Sequence, residues 1–499
     1  MPRAHIVLDK QAVIAPVRRR TFGAFVEHLG RCVYTGLYEP GHPSANDDGF
    51  RMDVVDLVRE LGSTTVRYPG GNFVSGFRWE DSVGPREQRP VRRELAWHSL
   101  ESNQFGLDEF AKWCKLTGSE VMLAINLGTR GILPALDLLE YANHPSGTAL
   151  SDQRIANGTP DPHDIRMWCL GNELDGPWQT GFLTADDYGK LAARTAAAMK
   201  MADKDLELVA CGSSGTGMAT FGDWERTVLE HSYEHVDYIS CHAYYQEHDG
   251  DLGSFLASAA DMDFYIDTVV ATADHVGYKK RSSKKIAISF DEWNIWYIKE
   301  HQESQEINDE WRHAPRQLED VYTVADAVVV GNLLMTLLKR SDRVTSASLA
   351  QLVNVIAPIM TEPGGPAWRQ TTFYPFSITS RLAAGEVIRP VIETPAYSTA
   401  RYGEASVVDA VATVDEDRAA VFLVNRDLTQ AAQVTVDVRG LGSSRIAEAV
   451  TLADSDVYAK NTLAEQHRVV PEANKSAALV DGVLTIELPP VSWTAIALG

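Results

Sequence analysis

Two glutamates pose the chemical question. Glu173 closes the stretch Ile165–Glu173 as Asn172-Glu173, and Glu292 stands near the end of Lys285–Trp293 within Asp291-Glu292-Trp293-Asn294. Each follows an apolar run that stops where polar residues begin. Carboxylates paired across a cleft are what glycoside hydrolysis needs: one is protonated and gives its proton to the leaving oxygen, and the other is ionised and attacks the anomeric carbon. The two environments must therefore differ. Arg67 is available to hold Glu292 ionised, and Tyr244 can donate a hydrogen bond to the same carboxylate. Asn172, next to Glu173 but pointing elsewhere, suits the 2-hydroxyl of a sugar.

These side chains need a rigid frame. Eight short apolar runs alternate with longer amphipathic segments: Thr21–His28, Thr64–Pro69, Glu120–Leu127, Ile165–Glu173, Leu206–Gly212, Val236–Tyr244, Lys285–Trp293 and Ala347–Asn354. Segments such as Thr184–Ala202 and Asp320–Lys339 have helical spacing and length. Strand-then-helix repetition implies a parallel sheet, and eight such units fit an α/β fold, a (β/α)8 TIM barrel with long loops. A doubly wound open sheet is the alternative, but no GxGxxG turn supports it. After about residue 385 the texture becomes that of an all-β sandwich: Val408–Val414, Ala420–Asn425, Val434–Val438, Val483–Leu488 and Ser492–Leu498 read as strands separated by turn residues. The expected organisation is a barrel over 20–385, a sandwich over 386–499, and an N-terminal segment, 1–19, whose strand Ile6–Ile14 pairs with the sandwich.

In such a barrel chemistry sits where strands end. The runs end in Glu27-His28, in Arg67 with Pro69-Gly70-Gly71-Asn72, in Asn172-Glu173, in His242 and Tyr244, in Asp291-Glu292, and in Gln351 and Asn354. Each residue alone has a structural role open to it. Glu27 and Arg67 could be an ion pair, Asn172 a helix cap, His242 a satisfied core histidine. As a set on successive strand ends they favour a site, because so many buried polar groups must pair with each other or with a ligand. Trp97, Trp178, Trp293, Trp296 and Trp311 are candidate sugar platforms, with Trp97 and Trp178 preferred. The loop Glu300–Asp320 is long enough to be a lid, or is a plain solvated excursion.

Composition narrows the partners. The formal charge is −22, which disfavours phosphate backbones, so no nucleic acid is expected. The five cysteines show no metal-type spacing and read as reduced thiols in a cytoplasmic protein. The start, MPRAHIVLDK, lacks a signal-peptide core, and the longest helix-like apolar run, Ala327 to Leu338, is too short to span a bilayer, so no membrane association is expected. No cofactor and no metal is expected. The rival reading is a metal-dependent sugar isomerase with Glu27, His28, His242 and Glu292 around a divalent cation, which leaves Asn172-Glu173 unexplained. A non-catalytic carbohydrate-binding barrel would have lost one carboxylate, and both are present.

The chain resembles the retaining four/seven-type (β/α)8 glycosidases and, more closely, the family 51 glycoside hydrolases, the α-L-arabinofuranosidases. The stretches that carry the resemblance are TFGAFVEHLGRCVYTGLYEP, VRYPGGNFVSGFRWEDSVGP, MWCLGNELDGPWQTG, SCHAYY, SFDEWNIWY and SLAQLVNVIAPIMTEPGGPAWRQTTFYPF. The resemblance implies Glu173 as acid/base and Glu292 as nucleophile. It implies Glu27, Asn72, Asn172, Tyr244 and Gln351 around a bound arabinofuranose, Arg67 beside the nucleophile, and Trp97 at the leaving-group subsite. It also implies an exo-hydrolase of arabinofuranosyl-containing oligosaccharides, bacterial and intracellular, and a homo-oligomer, often a hexamer. A β-xylosidase or endo-glucanase specificity stays open, because pocket shape and not the carboxylate pair selects the sugar.

Overall fold

The computed structural model describes residues 1–298, 310–416, 418–442 and 445–499. Eight parallel strands close into a barrel: β1 Gly23–Phe25, β2 Thr65–Tyr68, β3 Glu120–Ala124, β4 Met167–Cys169, β5 Glu207–Ala210, β6 Tyr238–Tyr245, β7 Ala287–Ile295 and β8 Val344–Leu349. Each lies within or overlaps one of the eight apolar runs. Alternate side chains face inward, and Met122, Ala124, Met167, Cys169, Val209 and Tyr238 fill the interior beneath the mouth. At the opposite end Arg20 closes the barrel. Its guanidinium donates to Glu120 at 2.8 Å and to Glu207 at 2.7 Å.

Several ends differ from the sequence expectation. Strand β4 stops at Cys169, so Asn172-Glu173 occupy a turn rather than the strand itself, and Glu173 adopts φ +42. A non-glycine residue there stores about 1–3 kcal/mol of strain, which its surroundings must hold. Strand β8 runs from Val344 to Leu349, which puts Gln351 and Asn354 in the following loop. The expected helix Asp320–Lys339 begins only at Val324, because Thr323 and Asp326 form a reciprocal capping box, with the Thr323 amide donating to Asp326 at 2.7 Å. Asp320 instead accepts the Tyr297 amide.

Beyond the barrel, a five-stranded and a seven-stranded sheet face each other across a second core that includes Ile6, Leu8, Val421, Leu423, Val434, Val436, Leu484 and Ile486. The N-terminal stretch forms two strands rather than one. Arg3–Asp9 lies parallel to Ala432–Gly440, and Val13–Pro16 pairs with Glu386–Ile388, so the chain start contributes to both sheets. Helix Val324–Lys339 is buried on almost every side, as a helix apolar around most of its circumference must be. It packs on the barrel and also on the seven-stranded sheet, where a Cβ on Gly331 would stand 2.3 Å from the Trp493 ring. Across this seam Asn332 donates to Asp409 at 2.9 Å and accepts from Arg426. Burial works against the Asp409 carboxylate, but the Lys339 and Arg426 charges outweigh it and hold the carboxyl below its ordinary range.

Candidate active site

The barrel mouth collects the polar strand ends. Glu292 lies on β7, and His242 and Tyr244 lie on the adjacent β6, with His242 directly opposite Glu292 in register. Tyr244 donates to Glu292 Oε2 at 2.6 Å. From β2, Arg67 splits its guanidinium: one nitrogen donates to Glu292 Oε1 at 2.7 Å and the other to Asn172 Oδ1 at 2.7 Å. A planar fork fixes two acceptors at once, so Arg67 ties the residue next to Glu173 to Glu292 across the barrel. Below it Asp291 approaches Arg67 Nε at 3.8 Å.

Glu173 follows β4, on the far side of the mouth from β7. Its Oε1 lies 2.8 Å from His242 Nδ1, and its Oε2 accepts from Trp178 Nε1 at 2.8 Å. His242 also comes within 3.6 Å of Glu292 Oε2, so one imidazole stands between the two carboxylates. An oxygen of Glu173, an oxygen of Glu292 and a ring nitrogen of His242 all lie within 4.8 Å of one another. A separation of about 5 Å is that of a nucleophile with its acid/base; an inverting pair stands about 6.5–9.5 Å apart to admit a water.

Electrostatics separate the two carboxylates. Burial works against ionised Glu292, but the charges of His242 and Arg67 and the bonds from Tyr244 and Arg67 outweigh it, and the carboxyl is held below its ordinary value. Burial also works against charged His242; Glu292 and Glu173 overcome it and raise the imidazole. Among the described residues no guanidinium pairs with Glu173. The site therefore holds one carboxylate fixed as an anion and a second bonded only to an indole and an imidazole.

A second group of polar side chains lies beside the pair. Glu27 accepts from the Phe73 amide at 2.9 Å, from Trp97 Nε1 at 2.8 Å and from Gln351 Nε2 at 3.0 Å. It does not pair with Arg67. Its burial drives its carboxyl well above the usual range. Gly71 is required here: it has φ +58, and a Cβ would fall 2.3 Å from the Glu27 carboxyl carbon. Asn72 follows, with its Oδ1 3.4 Å from Asn172 Nδ2. Thus Glu27, Arg67, Asn72, Trp97, Asn172, Glu173, Tyr244, Glu292 and Gln351 share one mouth.

The proposed cation site of the isomerase reading does not assemble. Both ring nitrogens of His28 are taken at 2.8 Å, by Glu101 and by Tyr68. Among the described residues Glu173, His242 and Glu292 form the one cluster with metal-ligand spacing, and hydrogen bonds within it already join His242 to Glu173. Of the candidate platforms, Trp293 is wholly buried, while Trp178 is 50% exposed beside Glu173. Trp311 lies tilted against His98, with ring centroids 3.9 Å apart. Residues 300–309 of the suggested lid lie outside the described residues; its later part pairs through Arg312–His313 with Ser99–Leu100. His242 is among the strand-end residues named from sequence, but not as a bridge between the carboxylates, and Gln179, which bonds Ser75 and lies 3.5 Å from Asn172, is not among them. The only local signal for His242 was its place two residues before Tyr244 on a strand end.

A closed parallel barrel with a close carboxylate pair on β7 and after β4 defines a glycoside hydrolase. Two family models match the chain: the α-L-arabinofuranosidase 1 domain over 57–265 and the α-L-arabinofuranosidase C-terminal domain over 291–492. An intracellular exo-α-(1→5)-L-arabinofuranosidase of Streptomyces lividans is 58% identical over 99% of this chain and 75% of its own. An exo-α-(1→6)-L-arabinofuranosidase of Bifidobacterium longum is 56% identical over 99% of this chain and 97% of its own. The solved structure of a family 51 α-L-arabinofuranosidase from Bifidobacterium longum superposes with a TM-score of 0.96 at 50% identity, covering 100% of both chains. The chain belongs to the family 51 α-L-arabinofuranosidases.

Proposed function

We propose that the protein is a retaining, exo-acting α-L-arabinofuranosidase that removes terminal non-reducing arabinofuranosyl groups from arabino-oligosaccharides. The observation that carries this reading is the carboxylate pair within 4.8 Å, of which only Glu292 is held by a guanidinium. Glu292 attacks the anomeric carbon while Glu173 protonates the leaving oxygen, and the arabinosyl group passes to Glu292 as an ester. Glu173, now a carboxylate, takes a proton from water, and that water cleaves the ester with net retention. Glu27, Asn72, Asn172, Tyr244 and Gln351 bind the sugar hydroxyls, Arg67 keeps Glu292 ionised, and Trp97 lines the leaving-group side. Residues 20–385 form the catalytic unit; 386–499, completed by 1–19, support it.

We place the enzyme inside the cell as a homo-oligomer, hexameric by resemblance, acting on short imported oligosaccharides; relatives named intracellular support the location alone. No described helix is long and apolar enough to cross a membrane. The named linkages differ between relatives, α-(1→5) in one and α-(1→6) in another, so linkage preference belongs to the leaving-group side. The test is a panel of nitrophenyl α-L-arabinofuranoside, β-xyloside and β-glucoside. The arabinofuranoside should lead in kcat/KM by at least about 10²-fold, because buried groups shaped for one set of hydroxyls are left unpaired by another. A faster xyloside or glucoside would reassign the substrate.

Arg67→Met tests the electrostatic assignment. Glu292 must be ionised, so its lowered carboxyl keeps the enzyme active until the pH falls through that value. Without the guanidinium the carboxyl rises, and the acidic limb of the kcat/KM profile moves to higher pH. The plateau should also fall by about 10²-fold or more, since a preorganised charge and the Asn172 anchor are lost together. An unmoved acidic limb would show that Arg67 does not control Glu292.

A further inference from the structure

Trp97 reaches the mouth from a hairpin with its own internal support. Strands Arg92–Glu94 and Ser99–Glu101 pair antiparallel, and the loop 95–98 between them carries Trp97. Glu94 is 6% exposed and bonds this loop with both oxygens. Its Oε1 accepts the Ala96 amide at 2.8 Å, and its Oε2 accepts the Trp97 amide at 2.6 Å. The Trp97 ring nitrogen then donates to Glu27, and the Trp97 carbonyl accepts from Gln317 at 3.1 Å. Leu95 lies in solvent, 62% exposed, so its packing does not hold the loop. The orientation of Trp97 thus depends on one buried carboxylate behind it and one in front.

We propose that Glu94 is a positioning residue for leaving-group recognition, its ionised carboxylate holding the Trp97 loop in the conformation that binds the group attached to the arabinofuranosyl unit. This rests on the reading of Trp97 as part of the leaving-group side. A carboxylate accepts with both oxygens. A neutral carboxyl turns one oxygen into a donor that faces an N–H, and one of the two bonds is lost. The charged groups facing Glu94 are few. Burial lifts its carboxyl to about 7, with Glu101 on the partner strand adding to the lift, while His28 and the two amide bonds oppose it. Glu27 faces it through Trp97. The other titratable side chains of the hairpin are engaged elsewhere: Arg92 with Asp81, Arg93 over the Trp311 ring, His98 against the same ring, and His313 of the neighbouring strand with Ser102. The clamp therefore tightens as pH rises through neutrality.

The test is the KM for α-(1→5)-linked arabinobiose at pH 6 and pH 8 in the wild type, Glu94→Gln and Trp97→Ala. The wild-type KM should fall by about tenfold between the two pH values, the worth of one charge-assisted bond. Glu94→Gln should keep the high KM at both, with kcat and inhibition by L-arabinose, which occupies the sugar pocket alone, within about twofold of wild type. A KM for Glu94→Gln equal to wild type at pH 8, or one that retains the wild-type pH dependence, overturns the proposal. Trp97→Ala separates the two layers. A raised KM upholds the leaving-group reading whatever Glu94 does, and an unchanged KM overturns that reading and the role of Glu94 with it.

Discussion

Glu292→Ala lowers kcat on nitrophenyl α-L-arabinofuranoside by at least about 10⁴-fold, the scale on which loss of a covalent nucleophile registers. An activated leaving group does not rescue it, because the missing step is attack and not protonation. Azide does. The truncated side chain leaves room beside the anomeric carbon, and the Arg67 and His242 cations that held the carboxylate now attract a small anion. The product is an arabinofuranosyl azide of inverted configuration, identified by NMR. A variant that keeps near-normal turnover would remove Glu292 from the mechanism.

Glu173→Ala behaves differently, and the difference is the diagnostic. Protonation of the leaving group matters in proportion to its basicity, and general acid catalysis contributes about 10²–10⁴-fold. Turnover of an arabino-oligosaccharide should therefore fall by about 10³-fold, while formation of the arabinosyl-enzyme from a dinitrophenyl arabinofuranoside should change little. Hydrolysis of that ester also loses its base, so the activated substrate gives a rapid burst followed by a slow steady state. Azide accelerates the slow phase and gives a product of retained configuration, because it attacks the glycosyl-enzyme from the side vacated by Glu173. Equal losses on both substrates would assign the proton to another group, and His242, 2.8 Å from Glu173, would be the first candidate.

Part of this arrangement can be read from the chain. The eight strands announce themselves as apolar runs bounded by polar or glycine-rich ends, since a parallel barrel strand is buried on both faces and has no other composition open to it. Glu292 was placed by the same logic, lying within β7. Glu173 was read as the end of a strand but sits in a turn with φ +42. The apolar Leu170 extends the run past Cys169, and local pattern does not reveal where the ladder ends. The start of helix Val324–Lys339 was missed by four residues for a comparable reason: Asp320 and Tyr322 fit the helical period but are used by Tyr297 and Ile295. Those partners are distant in sequence or belong to another element.

The site was legible as a set of residue types and not as a network. Nothing near Arg67 in sequence shows that its fork spans Glu292 and Asn172, and nothing near His242 shows that it touches both carboxylates. Such contacts arise only when β2, β4, β6 and β7 are brought around one axis. Glu94 is the clearer case. In sequence it is an acidic residue among three arginines, Arg89, Arg92 and Arg93, and reads as one more surface charge. Its burial follows from the hairpin folding its carboxylate back onto the Trp97 loop.

The central claim is that Glu292 carries the sugar while Glu173 moves the proton. It is tested most directly by quenching Glu173→Ala in acid during turnover of dinitrophenyl α-L-arabinofuranoside, digesting it, and sequencing the modified peptide by mass spectrometry. A single pentosyl group on Glu292, within SFDEWN, is the expected result. A pentosyl group on any other residue, or none despite a kinetic burst, would contradict it.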